Sequence, residues 1–491
     1  MRDATHALVK KTYSIRSALE ILDLTAGSIL LLVDDQNVLL RTISDGDIRR
    51  LLIAGFAIDD TLDKLPSQSY ISVNLSTSKD EVLILMKHNL IYQVPILDNH
   101  NKPIGIYLKD DLEPNIQLSI PHMGGLERQY VEEAFDSNWI APLGPNVDGF
   151  EKEFSEYIGG SYATAVNSGT SAIHLALILL GIVKDDIVLC SSFTFVASAN
   201  PILYQAAIPI FIDSEPKTWN MCPLALKQAI ESTIKAGKKP KAIIVAHLYG
   251  QSADMNKIME LSNYFSIPVI EDSAESLGSL YKGKHTGTIG NFGIFSFNGN
   301  KIITTSGGGM LISNDKEMII KAQFLSTQAR NDKHYYEHTE VGYNYRMSNI
   351  LAGIGRGQLK VLDQRVSEKR DIYDYYQKNL LHDALEWMPQ PEGDYSNRWL
   401  SVVSINPNKT NTTPRELIRM LKEKNIEARH VWKPMHLQPL FSECKYFKSS
   451  DKSFCDYLFN SGVCLPSASN MSKAKQEFVV SEFLKTINNV F

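Results

Sequence analysis

Phe295-Ser296-Phe297-Asn298-Gly299-Asn300-Lys301-Ile302-Ile303-Thr304-Thr305-Ser306-Gly307-Gly308-Gly309 runs from an apolar strand end, through a polar turn with one lysine, into a Ser/Thr/Gly-rich return. A lysine just past a strand in such a setting can form a Schiff base with an aldehyde when its surroundings free the amine. A solvated surface lysine is the simpler account of Lys301 taken alone. Its meaning therefore depends on what shares its side of the fold.

Strands and helices alternate around it. Ala163 to Val166 is followed by a helix from Ser171, and Ile187 to Leu189 by a helix near Ala197; further strands fall at Ala242 to Ala246, Pro268 to Glu271, Gly293 to Phe297 and Gly309 to Ile312. This spacing predicts a mainly parallel α/β sheet with helices on both faces, whose ligands gather beyond the carboxyl ends of the strands. Three more stretches fall at such ends. Asn167-Ser168-Gly169-Thr170-Ser171-Ala172 opens a helix, where backbone amides and hydroxyls suit an anion or simply cap the helix. Phe195, in Phe193-Thr194-Phe195, can stack on a planar ring or fill a core. Pro268-Val269-Ile270-Glu271-Asp272-Ser273-Ala274-Glu275 delivers carboxylates; Asp272 can keep a pyridine nitrogen protonated or cap the next helix. The last hundred or so residues, with a helical pattern at Pro414 to Lys424, short strands within Trp399 to Ile405 and turns at Trp432 to Leu440, read as a smaller α+β lobe.

In this order, the S-G-T-S turn, the aromatic, D-S-A-E and the lysine strand end resemble the DegT/DnrJ/EryC1/StrS family of sugar aminotransferases, of aspartate-aminotransferase fold type I, over about residues 117–491. The resemblance implies a large domain over 117–385 that binds pyridoxal 5'-phosphate and a small C-terminal domain over 386–491. It makes Lys301 the lysine that bonds the cofactor and shuttles the proton, and Asp272 the partner of the pyridine nitrogen. Gly169, Thr170, Ser171 and Ser296 become phosphate contacts and Phe195 the stacking ring. Glu275, assigned to the cofactor's far face, stands where many members carry His or Gln. Related dehydratases replace the lysine by His, so Lys301 speaks for transamination. Gly342-Tyr343-Asn344-Tyr345-Arg346-Met347-Ser348 resembles the loop whose Asn, here Asn344, reaches the cofactor phosphate of a neighbouring subunit, implying a homodimer with shared sites. Arg346, together with Lys433 and His436 of Arg429-His430-Val431-Trp432-Lys433-Pro434-Met435-His436, is an expected substrate contact.

Glutamate is the family's usual amino donor. The wording of FSFNGNKIITTSGGGML and RHVWKPMHLQPLF is closest to the branch acting on C4 of UDP-4-keto-6-deoxy-N-acetylglucosamine, for cell-surface glycans. A GDP-linked 4-keto sugar or a 3-keto sugar is the alternative acceptor. A nucleotide-sensing regulatory protein with an inactive body is the alternative of another class, and it predicts loss of Lys301 or Asp272.

Residues 1–115 contain a repeat: Val33 to Asp47 lies over Leu97 to Asp111 at an offset of 64 residues. Each copy reads as strand, polar turn, strand and helix, preceded by an amphipathic helix (Ile15 to Leu24; Lys79 to Asn89). The pair resembles a tandem CBS module. Such modules often take an adenosine nucleotide through a Ser/Thr and an Asp three residues apart. Ser44 and Asp47 fit that pattern in the first copy, while the second offers Leu108 and Asp111, so at most one half-site is intact. Docking or dimerisation is the other reading, with Ser44 a plain helix cap.

The composition bounds these readings. With 491 residues, 44% hydrophobic and 21% charged, the chain has material for about three packed units and is not a disordered one. Its 50 Lys and Arg against 55 Asp and Glu form no basic block, which disfavours nucleic acid. The longest apolar stretch, Ala172 to Val183, is interrupted by His174 and Gly181 and is too short for a membrane span. Five cysteines without a CxxC and an N-terminus without a signal-peptide core lead us to expect a cytoplasmic protein with reduced thiols and no metal site.

Overall fold

Two hairpins built on the same turn open the chain, which the computed structural model describes over residues 2–24, 29–112 and 115–488. Glu113, Pro114 and Phe491, which fall at the domain limits read from the sequence, lie outside these residues. In the first hairpin, β2 (Leu30–Val33) and β3 (Leu39–Ile43), the Asp34 carboxylate accepts the amides of Gln36 and Val38, and Asn37 takes φ 63°. In the second, β5 (Gln93–Leu97) and β6 (Pro103–Leu108), Asp98 does the same for His100 and Lys102, with Asn101 at φ 58°. Asparagine tolerates this left-handed conformation, so the repeated Asp and Asn dictate the repeated turn. Each hairpin gains a short parallel edge strand, β1 (Leu8–Lys10) or β4 (Val73–Asn74), too brief to show a period in the sequence.

Residues Met1–Asn115 and Ile116–Phe491 form separate compact units. In the second, an eight-stranded sheet assembles from β7 (Tyr162–Val166), β8 (Ile187–Ser191), β9 (Ile208–Ile212), β10 (Ala242–Ala246) and β11 (Val269–Asp272). After a small hairpin of β12 (Leu280–Tyr281) and β13 (Lys284–His285), β14 (Phe292–Ser296) and β15 (Gly309–Ser313) join it. A four-stranded antiparallel sheet of β16 (Leu385–Trp387), β17 (Ser401–Ile405), β18 (Arg429–His430) and β20 (Gly462–Leu465) carries the small lobe. β19 (Tyr446–Phe447) lies within the range expected for the small domain but pairs with β9 and so extends the large sheet, whose order is β19-β9-β8-β10-β11-β14-β15-β7. Every neighbouring pair is parallel except those made by β15. β8 and β10 are buried at every residue, as expected of parallel strands covered on both faces.

The alternation of β14 sets up the functional end of the sheet. Phe295 and Phe297 point into the core, where their rings lie 5.0 Å from Phe154 and 5.1 Å from Phe150, so Ser296 between them faces the other way. Burying each ring contributes on the order of 2–3 kcal/mol and fixes the turn that follows.

On the helix Leu362–Asn379, Lys369 is 2% exposed and donates to the carbonyls of Trp399 at 3.1 Å and Ser467 at 2.7 Å. Burial pushes its amine down to about 7. Below that pH the folded and unfolded chains both carry the charge, and the cost of burying it is fully present. From there up to the unfolded value near 10.4, the unfolded chain binds the extra proton, so stability rises with pH. Relative to Lys369→Met, the native protein should gain about 1.4 kcal/mol per pH unit between pH 7 and 9 in chemical denaturation. Parallel stability curves for the two proteins would exclude this.

Candidate active site

The carboxyl ends of β8, β10, β11 and β14 and the turn after β7 border one cavity of about 480 Å³. The structure brings Gly169, Thr170, Phe195, Asp272, Glu275, Ser296 and Lys301 into its wall.

Ser168 caps the helix Gly169–Leu179, its hydroxyl accepting from the Ser171 amide at 3.1 Å. The Ser171 hydroxyl donates back into the turn, to Asn167 Oδ1 at 2.7 Å. Ser171 is therefore spent on the cap behind the wall and corrects the expectation that it meets the cofactor phosphate. The amides of Gly169 and Thr170 remain at the helix mouth, where the helix dipole favours an anion. β15 can pass beneath this turn only as glycine: a Cβ on Gly309 would stand 2.5 Å from the Ser168 carbonyl carbon.

Asp272 is 8% exposed, and its carboxylate accepts from Ser198 Oγ at 2.5 Å and the Ala274 amide at 3.1 Å. The preceding Glu271 points to the opposite face and accepts from His247 Nε2 at 2.9 Å. Ala253 donates to His247 Nδ1, which assigns the ring proton to Nε2. His247 also lines the cavity.

Glu275 opposes the lysine. One oxygen accepts from the Trp432 indole at 3.2 Å and lies 3.7 Å from Lys301 Nζ; the other accepts from the Tyr249 amide at 2.8 Å. Burial pushes the Glu275 carboxyl up, against the pull of Lys301 and these donors. On its other side Lys301 Nζ sits 4.3 Å from the centroid of the Trp399 ring. Phe195, half exposed, leans against Trp432 at 5.2 Å.

Other expected contacts stand elsewhere. Arg346 is a correction: it is buried in an ion pair with Glu151 and donates to Thr164 Oγ1 and the Ala165 carbonyl, away from the cavity. So is His436, whose ring is held between Ser192 Oγ at 2.7 Å and Asp456 at 2.9 Å while stacking on Tyr446 at 3.6 Å. Lys433 is exposed and outside the wall. Asn344 is exposed, its side chain accepting from Gln328 at 3.3 Å and its carbonyl from Asn167 at 3.1 Å. The Arg429 and Trp432 of the same C-terminal stretch do line the cavity, as do Asn300 and Trp399. In the first unit, Ser44 and Asp47 are occupied by each other in a capping box, with Arg41 and Arg50 paired to the Asp47 carboxylate.

Among the described residues no cluster of three or more His, Cys, Asp or Glu could hold a metal ion, and no helix is long and apolar enough to cross a membrane. A lysine past the end of β14 and an aspartate at the end of β11 lining one cavity, with an amide turn after β7 bordered by Gly309 of β15, fit pyridoxal phosphate and define a transferase that uses it. Residues 121–484 match the DegT/DnrJ/EryC1/StrS aminotransferase family, and residues 62–113, the second N-terminal copy, match the CBS domain. EpsN of Bacillus subtilis, named for a pyridoxal phosphate-dependent aminotransferase, is 53% identical over 381 residues, 77% of this chain and 97% of its own. A GDP-perosamine synthase of Escherichia coli O157:H7 is 40% identical over 366 residues, 74% of this chain and 97% of its own. The crystal structure of the aminotransferase TlmJ from Streptoalloteichus hindustanus aligns with a TM-score of 0.69 at 28% identity, covering 76% of this chain and 99% of its own. The chain belongs to the DegT/DnrJ/EryC1/StrS aminotransferase family, and pyridoxal 5'-phosphate is its cofactor.

Glu275 is ionised only above its raised pKa, so protonating it removes the counter-charge beside Lys301. The turnover of the native enzyme should rise with pH along an acid limb lying above the ordinary carboxylate value of 4.5. In Glu275→Gln that limb should vanish from the pH profile of kcat. An unchanged limb would assign it to another group.

Proposed function

We propose that this enzyme moves an amino group from glutamate to C4 of a nucleotide-linked 4-keto-6-deoxy sugar, with UDP-4-keto-6-deoxy-N-acetylglucosamine the acceptor, for cell-surface glycan synthesis in the cytoplasm. The observation that carries the transfer is Lys301 Nζ facing Glu275 at 3.7 Å within the cavity that Asp272 also lines. The bound cofactor supplies an electron sink that lets nitrogen leave one carbon and join another. Lys301 then holds and returns the proton at those carbons as general base and acid. Asp272, supported by Ser198 and the Ala274 amide, keeps a ring nitrogen protonated. The Gly169 and Thr170 amides and the Ser296 hydroxyl receive the phosphate, and Phe195 covers a ring face. An inactive regulatory body is not favoured, because Lys301 and Asp272 both stand in the cavity.

The uridine sugar is chosen on the wording of the Phe295 to Leu311 and Arg429 to Phe441 stretches. A GDP-linked 4-keto sugar is the second reading, supported by the likeness to a GDP-perosamine synthase. Arg429 at the rim offers a cation to either diphosphate. Two copies acting together, with Asn344 reaching the neighbour's phosphate, account for an exposed Asn344 that does not line its own cavity. The five free cysteines suit a reducing compartment.

Glutamate offered with a panel of UDP-, GDP- and dTDP-linked keto sugars should yield a 4-amino sugar from the UDP substrate, identified by mass and NMR. Lys301→Ala should lower turnover at least about 10³-fold and abolish the borohydride-reducible link. Amination of the GDP substrate alone would establish the second reading. Because no cavity residue comes from the first unit among the described residues, Ile116–Phe491 expressed alone should keep kcat within about twofold of the whole chain. A folded but inactive fragment would show that residues 1–115 take part in turnover.

A further inference from the structure

The ring that meets Lys301 comes from the small-lobe segment of the chain. Trp399 is 1% exposed; its face lies 4.3 Å from Lys301 Nζ, and its indole N–H donates at 2.8 Å to the carbonyl of Asn300, the residue just before the lysine. One side chain thus grips both the backbone and the head group of the lysine turn.

The placement of Trp399 is itself over-determined. Arg398 before it holds φ 50°, a left-handed conformation that a non-glycine residue adopts at a cost and keeps only where its surroundings enforce it. The Trp399 amide donates to Asn397 Oδ1 at 2.8 Å, and Asn397 Nδ2 donates to the carbonyls of Glu275 at 3.0 Å and Leu277 at 2.8 Å. Gly250 leaves room for this clamp, since a Cβ there would stand 1.9 Å from Asn397 Oδ1. The Trp399 carbonyl accepts from buried Lys369. The Tyr249 ring lies parallel to Trp399 at 6.2 Å and to Trp432 at 6.1 Å, and Trp432 in turn donates to Glu275. The Trp399 face and the Glu275 carboxylate, both set against Lys301 Nζ, are therefore tied to one framework.

We infer that Trp399 is a positioning residue for Lys301, its ring face holding the free ammonium opposite Glu275 and its indole N–H fixing the turn that carries the lysine. The inference rests on the aminotransferase reading of the cavity. An aromatic face attracts an ammonium and not a neutral amine, so the ring acts on the proton-bearing form of Lys301 and fixes the point from which that proton is delivered.

The test is the reaction of the cofactor-free full-length protein with pyridoxal phosphate across a pH series, trapped by borohydride and located by peptide mass mapping. Trp399→Leu should move the pH of half-labelling at Lys301 down by about one unit, because the ammonium has lost its ring. Trp399→Phe, which keeps a face but loses the N–H, should move it by less than half as much. Labelling of exposed Lys433 should stay the same in all three proteins. In steady state the Leu variant should lose roughly tenfold in kcat, with KM for glutamate within about twofold of native. Variants that fold, judged by circular dichroism, and label Lys301 as the native protein does would reduce Trp399 to a space-filling role and overturn the inference. If the native Lys301 takes no label, the aminotransferase reading falls instead. Should the Leu variant fail to fold, Trp399→Phe decides: a kcat lowered about threefold supports the grip on Asn300, and an unchanged kcat ends it.

Discussion

The cavity depends on bringing an amine and two carboxylates together at largely buried positions. Asp272 and Glu275 are each 8% exposed, and isolated charges at that depth cost several kcal/mol apiece. Each carboxylate is met by fixed donors from the framework: Ser198 and the Ala274 amide for Asp272, the Tyr249 amide and the Trp432 indole for Glu275. Removing one of these donors would leave a buried carboxylate short of a hydrogen bond, typically a loss of about 1–3 kcal/mol. That constraint explains why distant segments converge here. The β11 end supplies the carboxylates, the β14 end supplies the lysine, and residues 397–432 supply the indoles that finish the wall.

The glycines follow from the same crowding. β15 runs antiparallel to its neighbours and passes close beneath the turn at Ser168 and Gly169, a path that no side chain at Gly309 would allow. This approach lets the amides of Gly169 and Thr170 open toward the cavity while Ser168 and Ser171 cap each other. The anion-favouring end of a helix is thereby set beside the lysine turn, a relation that neither segment creates alone.

How far the site could be read from the residues follows from what periodicity encodes. Residues at the ends of long apolar strands were legible, because the strand pattern places its end at the sheet edge: Asp272, Ser296, Lys301 and Phe195 all reach the cavity. Residues in irregular loops were not, since chemical type does not tell which way a side chain faces. Arg346 and His436 have the right chemistry for a substrate anion, yet Arg346 closes a buried ion pair with Glu151 and His436 a relay between Ser192 and Asp456. Trp399 escaped notice for another reason: in the sequence it only heads a stretch of short strands, and its turn toward Lys301 follows a left-handed Arg398 that no pattern announces. The short strands β1, β4 and β19 fell below the length at which alternation can be seen.

The first unit shows the same limit in another form. Ser44 and Asp47 have the spacing of a ligand half-site, and the structure occupies both. The Asp47 carboxylate accepts the Ser44 amide and hydroxyl at 2.8 and 2.7 Å and pairs with Arg50 and with Arg41, which is 3% exposed. Arg41 reaches on to the Pro66 carbonyl and Gln68, joining the helix start to the segment that leads into the second copy. A nucleotide taking the half-site would have to displace a satisfied cap and an internal ion pair. The second copy, with Leu108 in place of the hydroxyl, has no such cap to give up.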